Sequence, residues 1–240
     1  MKTILYSEKK EVTIDIDAAF VIIGEKINPT GRKKLAANLS EGNYDYVRGL
    51  AMKQVEAGAD ILDVNVGVPG LDEAIVLPEV AKIVAETVEV PLCLDSANRE
   101  ALAAALAVLP GKPLVNSVNG EEASLQAVLP VVKEYGTAVI GLTMDDDGIP
   151  NDAETRLRIA GRIIERAAQL GIPAEDIIID PLVLTVGADS QAAAVTLKTI
   201  ELITSEFGVN INLGASNVSF GLPDRHTVNQ VFLALAIGVG

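Results

Sequence analysis

Aromatic residues, cysteine and histidine are scarce in this chain of 240 residues, and tryptophan is absent. Phe and Tyr make up 3% of the sequence, so a core must be built from Ala, Val, Ile and Leu, which suit buried parallel strands covered by helices. Cys93 stands alone, which excludes a disulfide framework and a thiolate metal cage and indicates a reducing compartment. The one histidine, His226, is interpreted as solvated or structural rather than catalytic.

Basic residues are too few for a nucleic-acid surface. The chain has 19 Lys and Arg against 33 Asp and Glu, a net charge of −14, and phosphate contacts need clustered cations. The N-terminus is too polar for a secretory signal. The apolar stretches at residues 101–109 and 231–240 fall short of the about 20 residues that span a bilayer. We therefore predict a cytoplasmic protein that binds neither nucleic acid nor membrane, with an acidic surface that leaves room for a basic partner protein.

Short apolar runs alternate with longer amphipathic stretches along most of the chain. The predicted strands are residues 21–28, 61–66, 91–96, 114–119, 138–144, 177–183 and 210–218. The predicted helices between them are residues 44–57, 79–87, 99–109, 122–134, 153–170 and 191–207. Four helices are followed by a glycine that can adopt the left-handed cap conformation, namely Gly58, Gly136, Gly171 and Gly208. This alternation predicts parallel strands joined by right-handed crossovers.

Polar residues at the strand ends favour a barrel over a doubly wound sheet. A doubly wound sheet is expected to carry a glycine-rich phosphate turn after its first strand, whereas this chain has Asn28-Pro-Thr-Gly-Arg32. A TIM-type (β/α)8 barrel gathers the carboxyl ends of all strands at one mouth. The polar strand-end residues are Glu25, Asn28, Asp63, Asn65, Asp95, Ser96, Asn116, Asn119, Thr143, Asp180, Ser216 and Asn217. We therefore predict a parallel α/β barrel of the TIM type.

The predicted barrel has seven strands, and an eighth is missing from the pattern. After the seventh strand comes only a helical stretch, residues 228–237. Either the sequence is truncated at its C-terminus, or the barrel is incomplete or closed in another way. Residues 1–20 read as an N-terminal β-hairpin extension, and residues 21–240 as a single barrel domain.

The predicted mouth is rich in carboxylates and amides and holds no obvious nucleophile. A carboxylate accepts two parallel N–H bonds, and an amide side chain donates and accepts side by side. These are the requirements of a pterin, a flat ring with a 2-amino-4-oxo pyrimidine edge. Asp180 is expected to accept from N3–H and the 2-amino group, with Asp95 and Asn116 on the N1 and N8 side. The alternative is that such residues only cap the following helices.

Seven motifs resemble the pterin-binding methyltransferase family, which includes methyltetrahydrofolate:corrinoid protein methyltransferases and the folate domain of cobalamin-dependent methionine synthase. The resemblance covers about residues 21–240 with the motifs in the family's order. They are Gly24-Glu-Lys-Ile-Asn28, Gly58-Ala-Asp-Ile-Leu-Asp-Val-Asn65, Leu92-Cys-Leu-Asp-Ser96, Asn116-Ser-Val-Asn119, Gly141-Leu-Thr-Met144, Ile179-Asp-Pro-Leu182 and Gly214-Ala-Ser-Asn-Val-Ser219.

The resemblance implies a role for each matched residue. Asn217 is expected to reach N5 of the folate as the catalytic hydrogen-bond donor. The residues expected to bind the pterin are Asp95, Asn116, Asp180, Asp63, Asn65, Gly214 and Ser216. The resemblance also implies a homodimer that moves a methyl group between N5 of 5-methyltetrahydrofolate and the cobalt of a corrinoid. No Asp-x-His-x-x-Gly cobalamin motif is present, so a partner protein is expected to supply the corrinoid.

Three alternatives stay open at this point. The chain could be a dihydropteroate synthase-like enzyme, a non-catalytic folate-binding barrel, or a corrinoid methyltransferase that uses a methylamine donor. No metal site is predicted, because the acidic turn Asp145-Asp-Asp-Gly148 lacks the later ligands of a calcium loop. The partner's identity and the physiological direction of transfer are not encoded in the motifs.

Overall fold

The structure, a computed structural model, describes residues 1–240. Its nine strands are β1 (Thr3–Tyr6), β2 (Glu11–Ile14), β3 (Ile23–Ile27), β4 (Ile61–Val64), β5 (Leu92–Asp95), β6 (Leu114–Asn119), β7 (Ala138–Leu142), β8 (Ile177–Asp180) and β9 (Asn210–Ile211). Its eight α-helices are α1 (Lys33–Ser40), α2 (Asp45–Glu56), α3 (Glu73–Thr87), α4 (Arg99–Val108), α5 (Glu122–Tyr135), α6 (Ala153–Gln169), α7 (Ala192–Phe207) and α8 (Arg225–Val239). Two short 3-10 helices span Ala174–Asp176 and Ala215–Ser219.

The strand order is that of the TIM-type α/β fold. Strands β1 and β2 form an antiparallel hairpin, and β3 to β9 form one sheet in sequence order. The pairs β3–β4, β4–β5, β5–β6 and β8–β9 are parallel, with at least one helix between successive strands. The predicted fold class, the seven sheet strands and the N-terminal hairpin are therefore confirmed.

Two strands inside this sheet, β4 and β8, are buried along their whole length because helices cover them. Every residue of β4 and of β8 is buried, as expected for parallel strands that have no face toward water. A charged residue in such a strand has lost its hydration, which makes Asp63 in β4 and Asp180 in β8 unusual. No helix combines the length and apolarity that crossing a bilayer requires.

Two compact units make up the chain, and each has its own packing. The first unit consists of Lys2–Ser117 and Ala127–Val139, and thus contains the hairpin and β3 to β5. The second consists of Met1, Val118–Gln126 and Ile140–Gly240, and contains β8, β9 and α6 to α8.

Helix boundaries follow the predicted pattern except near Pro78 and Arg32. Helix α3 begins at Glu73, six positions before the predicted start at residue 79, because the Asp72 side chain accepts the Ala74 N–H and Pro78 is accommodated inside the helix. Helix α1 was not predicted; its N-cap residue, Arg32, makes no side-chain cap bond. The four predicted cap glycines all have positive φ, from 61° at Gly136 to 97° at Gly58.

The seventh sheet strand is much shorter than its predicted range of residues 210–218. It ends at Ile211, and Ala215–Ser219 forms a 3-10 helix instead. Hydrogen bonds within this segment replace those between strands: the Asn217 N–H donates to the Gly214 carbonyl at 3.0 Å. The apolar residue Val218, which suggested a strand, packs inward against Val183 and Phe232.

Candidate functional site

Four polar side chains meet near the carboxyl ends of β4, β5 and β6, and we call them the carboxylate–amide cluster: Asp63, Asn65, Asp95 and Asn116. Asp63 pairs in register with Cys93, and Asp95 with Asn116. Alternate residues of a strand share a face, so the four side chains project from the same face. The Asn65 amide donates to Asp95 Oδ2 at 2.9 Å, and the Asn116 amide donates to Asp63 Oδ1 at 3.2 Å.

Asp63 is a buried acid whose proton affinity is unusually high. It is 2% exposed, and its Oδ2 atom is buried without a hydrogen-bond partner. Burial raises the pKa of Asp63 to about 7, and the negative charge of Asp95 adds to the shift, whereas the hydrogen bond from Asn116 lowers it. Burial likewise raises the pKa of Asp95. Two carboxyl groups so close in a dry site favour having only one of them charged.

Replacing Asp63 by Asn is expected to remove a pH dependence of folding stability. A native pKa of about 7 for Asp63 against the ordinary 3.8 means that the folded state binds more protons than the unfolded state between about pH 4 and pH 7. Stability from this group is thus present at low pH and lost as pH rises through 7. Thermal melts should show Asp63→Asn several degrees more stable than the parent at pH 8 and similar at pH 4.

Asp146→Asn is the matched control for that comparison, since Asp146 lies exposed in a turn. It should leave the parent's melting profile against pH unchanged. Equal pH profiles for Asp63→Asn and the parent would contradict the buried-acid interpretation.

Some strand-end residues do cap helices, and the cluster residues do not. Asn98 accepts the N–H groups of Glu100 and Ala101 at the start of α4, and Asn119 accepts the N–H of Glu121 before α5. Asp63, Asp95 and Asn116 instead make their hydrogen bonds to other side chains of the cluster. The capping alternative therefore accounts for neighbouring asparagines and not for the cluster.

Asp180 lies in the second unit with its own supporting residues. Its Oδ2 accepts from the Asn212 amide at 2.7 Å, and its Oδ1 accepts the Leu182 N–H at 2.8 Å. Burial raises the pKa of Asp180 to about 6, while the charge of Arg156 opposes the shift. Each carboxylate oxygen can accept a second bond, so Asp180 keeps acceptor capacity for a ligand.

Arg156 and Asn212 were not among the predicted site residues. Arg156 is 1% exposed and donates to the main-chain carbonyls of Pro150, Pro181 and Leu182 at 2.6–2.8 Å. It fixes the turn after β8, where Leu182 has a φ of 60°. The signal for Arg156 was its position on the buried stripe of α6 with Ile159, because an arginine among apolar residues needs partners.

Arg156→Lys is expected to destabilise the second unit. A lysine reaches fewer of the three carbonyls, and each buried acceptor left unpaired costs about 1–3 kcal/mol. We expect a loss of about 2–4 kcal/mol in the free energy of unfolding, measured by urea denaturation. Arg158→Lys is the control on the same helix, since Arg158 is exposed and donates only to Thr155 among the contacts observed. Similar losses in both variants would contradict the anchoring role.

Asn217 lies on the 3-10 helix after β9, with its side chain exposed. A Cβ atom on Gly214 would lie 2.9 Å from Asn217 Nδ2, so glycine at 214 leaves room for the amide. The loop is held in place by Arg225, which donates to the Ser216 carbonyl at 2.8 Å and to Ser219 Oγ at 3.0 Å. Asn217 is therefore an exposed amide on a fixed support.

Three other groups singled out in the sequence have local structural contacts. His226 is exposed, and its Nε2 lies 3.0 Å from Gln230 Nε2. Burial raises the pKa of the Cys93 thiol, so it stays protonated. Asp145 closes a tight turn with Gly148 and lies 3.6 Å from Arg162. The site thus offers carboxylates and amides, which recognise N–H edges and donate single hydrogen bonds.

Comparison with known proteins gives three kinds of similarity. The family model described as "Pterin binding enzyme" matches residues 24–240. The chain is 34% identical over 226 residues to the methylcorrinoid:tetrahydrofolate methyltransferase of Eubacterium limosum, covering 92% of this chain and 82% of that protein. It is 32% identical over 230 residues to methionine synthase of Mycobacterium tuberculosis. That alignment covers 90% of this chain and 19% of the longer methionine synthase.

Solved structures with a similar fold include dihydropteroate synthases. The enzyme of Xanthomonas albilineans superposes with a TM-score of 0.71 over 100% of this chain and 90% of its own, at 20% identity. The enzyme of Yersinia pestis gives a TM-score of 0.65 over 97% of this chain and 87% of its own, at 16% identity. Similarity at that level of identity shows a shared fold.

Proposed function

The chain belongs to the pterin-binding enzyme family, and on that premise we propose that it is a methyltransferase that moves a methyl group between N5 of 5-methyltetrahydrofolate and the cobalt of a corrinoid protein. The observation that carries this proposal is the 34% identity to the Eubacterium limosum enzyme over most of both chains. The buried carboxylates and amides supply the acceptors and donors that a pterin ring requires.

We assign pterin binding to Asp95, Asn116 and Asp180, with support from Asp63 and Asn65. Asp95 receives one bond from Asn65 and retains a second oxygen for the ring. The Asn116 amide is oriented by Asp63. Asp180 is buried, accepts a hydrogen bond on each oxygen, and is suited to accept a paired N3–H and 2-amino edge.

Asn217 is the proposed catalytic donor, with Gly214 and Ser216 shaping its loop. In one direction, the N5–methyl bond breaks, its electron pair stays on N5 and accepts the Asn217 N–H, and the electron pair of Co(I) forms the new cobalt–carbon bond; N5 then takes a proton from water to give tetrahydrofolate. In the other direction, the N5 lone pair of tetrahydrofolate attacks the methyl carbon, the cobalt–carbon pair returns to cobalt as Co(I), and the N5 proton leaves to water. A hydrogen bond from the Asn217 amide to N5 that strengthens as the N–C bond breaks lowers the barrier without a titrating group.

The corrinoid is proposed to come from a partner protein, because the sequence contains no cobalamin-binding motif of its own. Positioning is then the enzyme's main contribution: the methyl group has to point toward a cobalt that another protein delivers. The acidic surface, with a net charge of −14, favours partners whose docking face is basic.

A homodimer is part of the proposal and rests on the outer face of α8. Val231 and Leu235, one turn apart on this helix, are 56% and 52% exposed, and apolar side chains that lie together on a surface mark interaction sites. Sedimentation velocity at micromolar concentration should give a dimer, and a monomer would contradict this part.

A cytoplasmic location also stays a prediction, based on the free thiol of Cys93.

The decisive experiment mixes the protein with 5-methyltetrahydrofolate and chemically reduced cobalamin and follows Co(I) absorbance. The proposal predicts loss of Co(I) with formation of one tetrahydrofolate per methyl group transferred. Binding of the folate without loss of Co(I) would instead indicate a non-catalytic barrel. Absence of folate binding would point to another methyl donor, and condensation of a pterin pyrophosphate with 4-aminobenzoate would indicate a synthase.

A further inference from the structure

We propose that Phe220 is the contact on which the corrin macrocycle rests during methyl transfer. This inference depends on the proposed function, and it assigns a site for the second substrate. Phe220 is 69% exposed, the highest value among the exposed large apolar residues of the chain. It follows directly after the 3-10 helix that carries Asn217.

Helix geometry places Phe220 beside Asn217. In a 3-10 helix there are three residues per turn, so side chains three positions apart lie one above the other. The Asn217 N–H donates to the Gly214 carbonyl at 3.0 Å, and the Phe220 N–H donates to the Asn217 carbonyl at 3.1 Å. One stripe along the helix therefore carries the open space at Gly214, the amide donor of Asn217 and the aromatic ring of Phe220. Successive members of this stripe are one turn, about 6 Å, apart.

The exposed ring stands on a fixed base. Val218, 1% exposed, packs beneath the loop against Val183 and Phe232. The Thr185 hydroxyl donates to the Phe220 carbonyl at 2.7 Å. The Arg225 guanidinium lies 6.0 Å from the centre of the Phe220 ring. The backbone at Phe220 is therefore fixed while the ring exposes its apolar surface to water, and covering that surface with a ligand is favourable.

The proposed chemistry identifies that ligand. If Asn217 bonds N5, the methyl group lies next to Asn217, and cobalt has to come within bond-forming distance of it. A corrin macrocycle is wider than the about 6 Å between successive levels of this stripe, so a corrin centred on the methyl group beside Asn217 also covers Phe220. That face is largely apolar, and an aromatic ring is a suitable surface for it.

Steady-state kinetics with free reduced cobalamin test the inference. Phe220→Ala should raise the KM for cobalamin about tenfold, equivalent to about 1.4 kcal/mol, with the KM for 5-methyltetrahydrofolate unchanged. Phe220→Trp should retain a KM near that of the parent, because it restores a flat ring. Phe20→Ala is the matched control, since Phe20 is 59% exposed and lies in the other unit.

The possible outcomes separate this inference from the proposed function. No loss of Co(I) with the parent protein would overturn the proposed function itself. Transfer by the parent with an unchanged cobalamin KM in Phe220→Ala would overturn only the role of Phe220. If Phe220→Ala raised the KM only for a corrinoid protein and not for free cobalamin, the contact would lie on the partner's polypeptide. If it raised the KM for the folate equally, the contact would lie on the folate. Either result would overturn the assignment to the corrin ring.

Discussion

Replacing Asn217 by alanine is expected to slow methyl transfer by about 10²–10³-fold, the usual loss when one donor to a developing charge is removed. The affinity for 5-methyltetrahydrofolate should change little, because the donor acts most strongly as the nitrogen–carbon bond breaks. Single-turnover loss of Co(I) gives the transfer rate, and a binding titration gives the affinity. A variant that transfers at the parental rate would exclude Asn217 as the donor.

Two further variants make the Asn217 result specific. Gly214→Ala places a methyl group where the Asn217 amide now lies, since an ideal Cβ would be 2.9 Å from Nδ2; it should slow transfer without removing the amide. Asn151→Ala removes an exposed amide of the same unit and should transfer normally. Equal slowing in all three variants would indicate a general loss of structure.

Replacing Asp180 by asparagine is expected to weaken pterin binding by about 100-fold. Two charge-assisted hydrogen bonds to the ring are lost or become neutral, and such bonds contribute about 1.5–3 kcal/mol each. An asparagine also presents N–H groups toward donors, because Leu182 and Asn212 both donate to Asp180. Fluorescence or calorimetric titration with 5-methyltetrahydrofolate measures the loss.

The exchange variant Asp180→Asn with Asn212→Asp separates binding from folding. The swap restores one donor and one acceptor across the 2.7 Å contact, so thermal stability should recover. The carboxylate then stands just beyond β9 instead of at the end of β8, where it is misplaced for the ring, so the affinity should stay low. Recovery of affinity together with stability would show that Asp180 acts only through folding.

The sequence predicted much of the site because strand ends can be located from it. Asp63, Asp95 and Asn116 each lie in or at the end of an apolar run, and the parallel register brings them into one cluster. Their hydrogen-bond pattern was not predictable, since it depends on side-chain directions. The placement of Asp95, Asn116 and Asp180 around one ring remains a prediction, which the binding variants test.

Supporting residues were missed where they come from outside the strand-end pattern. Arg156 reaches the turn after β8 from the first part of α6, and no local motif links the two segments. Residues 210–218 were predicted as one strand, whereas the strand ends at Ile211 and Ala215–Ser219 is a 3-10 helix. A single apolar residue such as Val218 fits a 3-10 turn as well as a strand, so the apolar pattern did not reveal the backbone conformation.

Arg225 is the first residue of α8, and its guanidinium holds the backbone of the Asn217 loop. The position of the Asn217 amide consequently depends on α8, to which the loop is connected by the short segment between Phe220 and Asp224. A proteolytic cut within that segment would spare every group that touches the folate. It would still make the Asn217 amide mobile. The cleaved protein should therefore bind the folate with unchanged affinity and lose methyl-transfer activity.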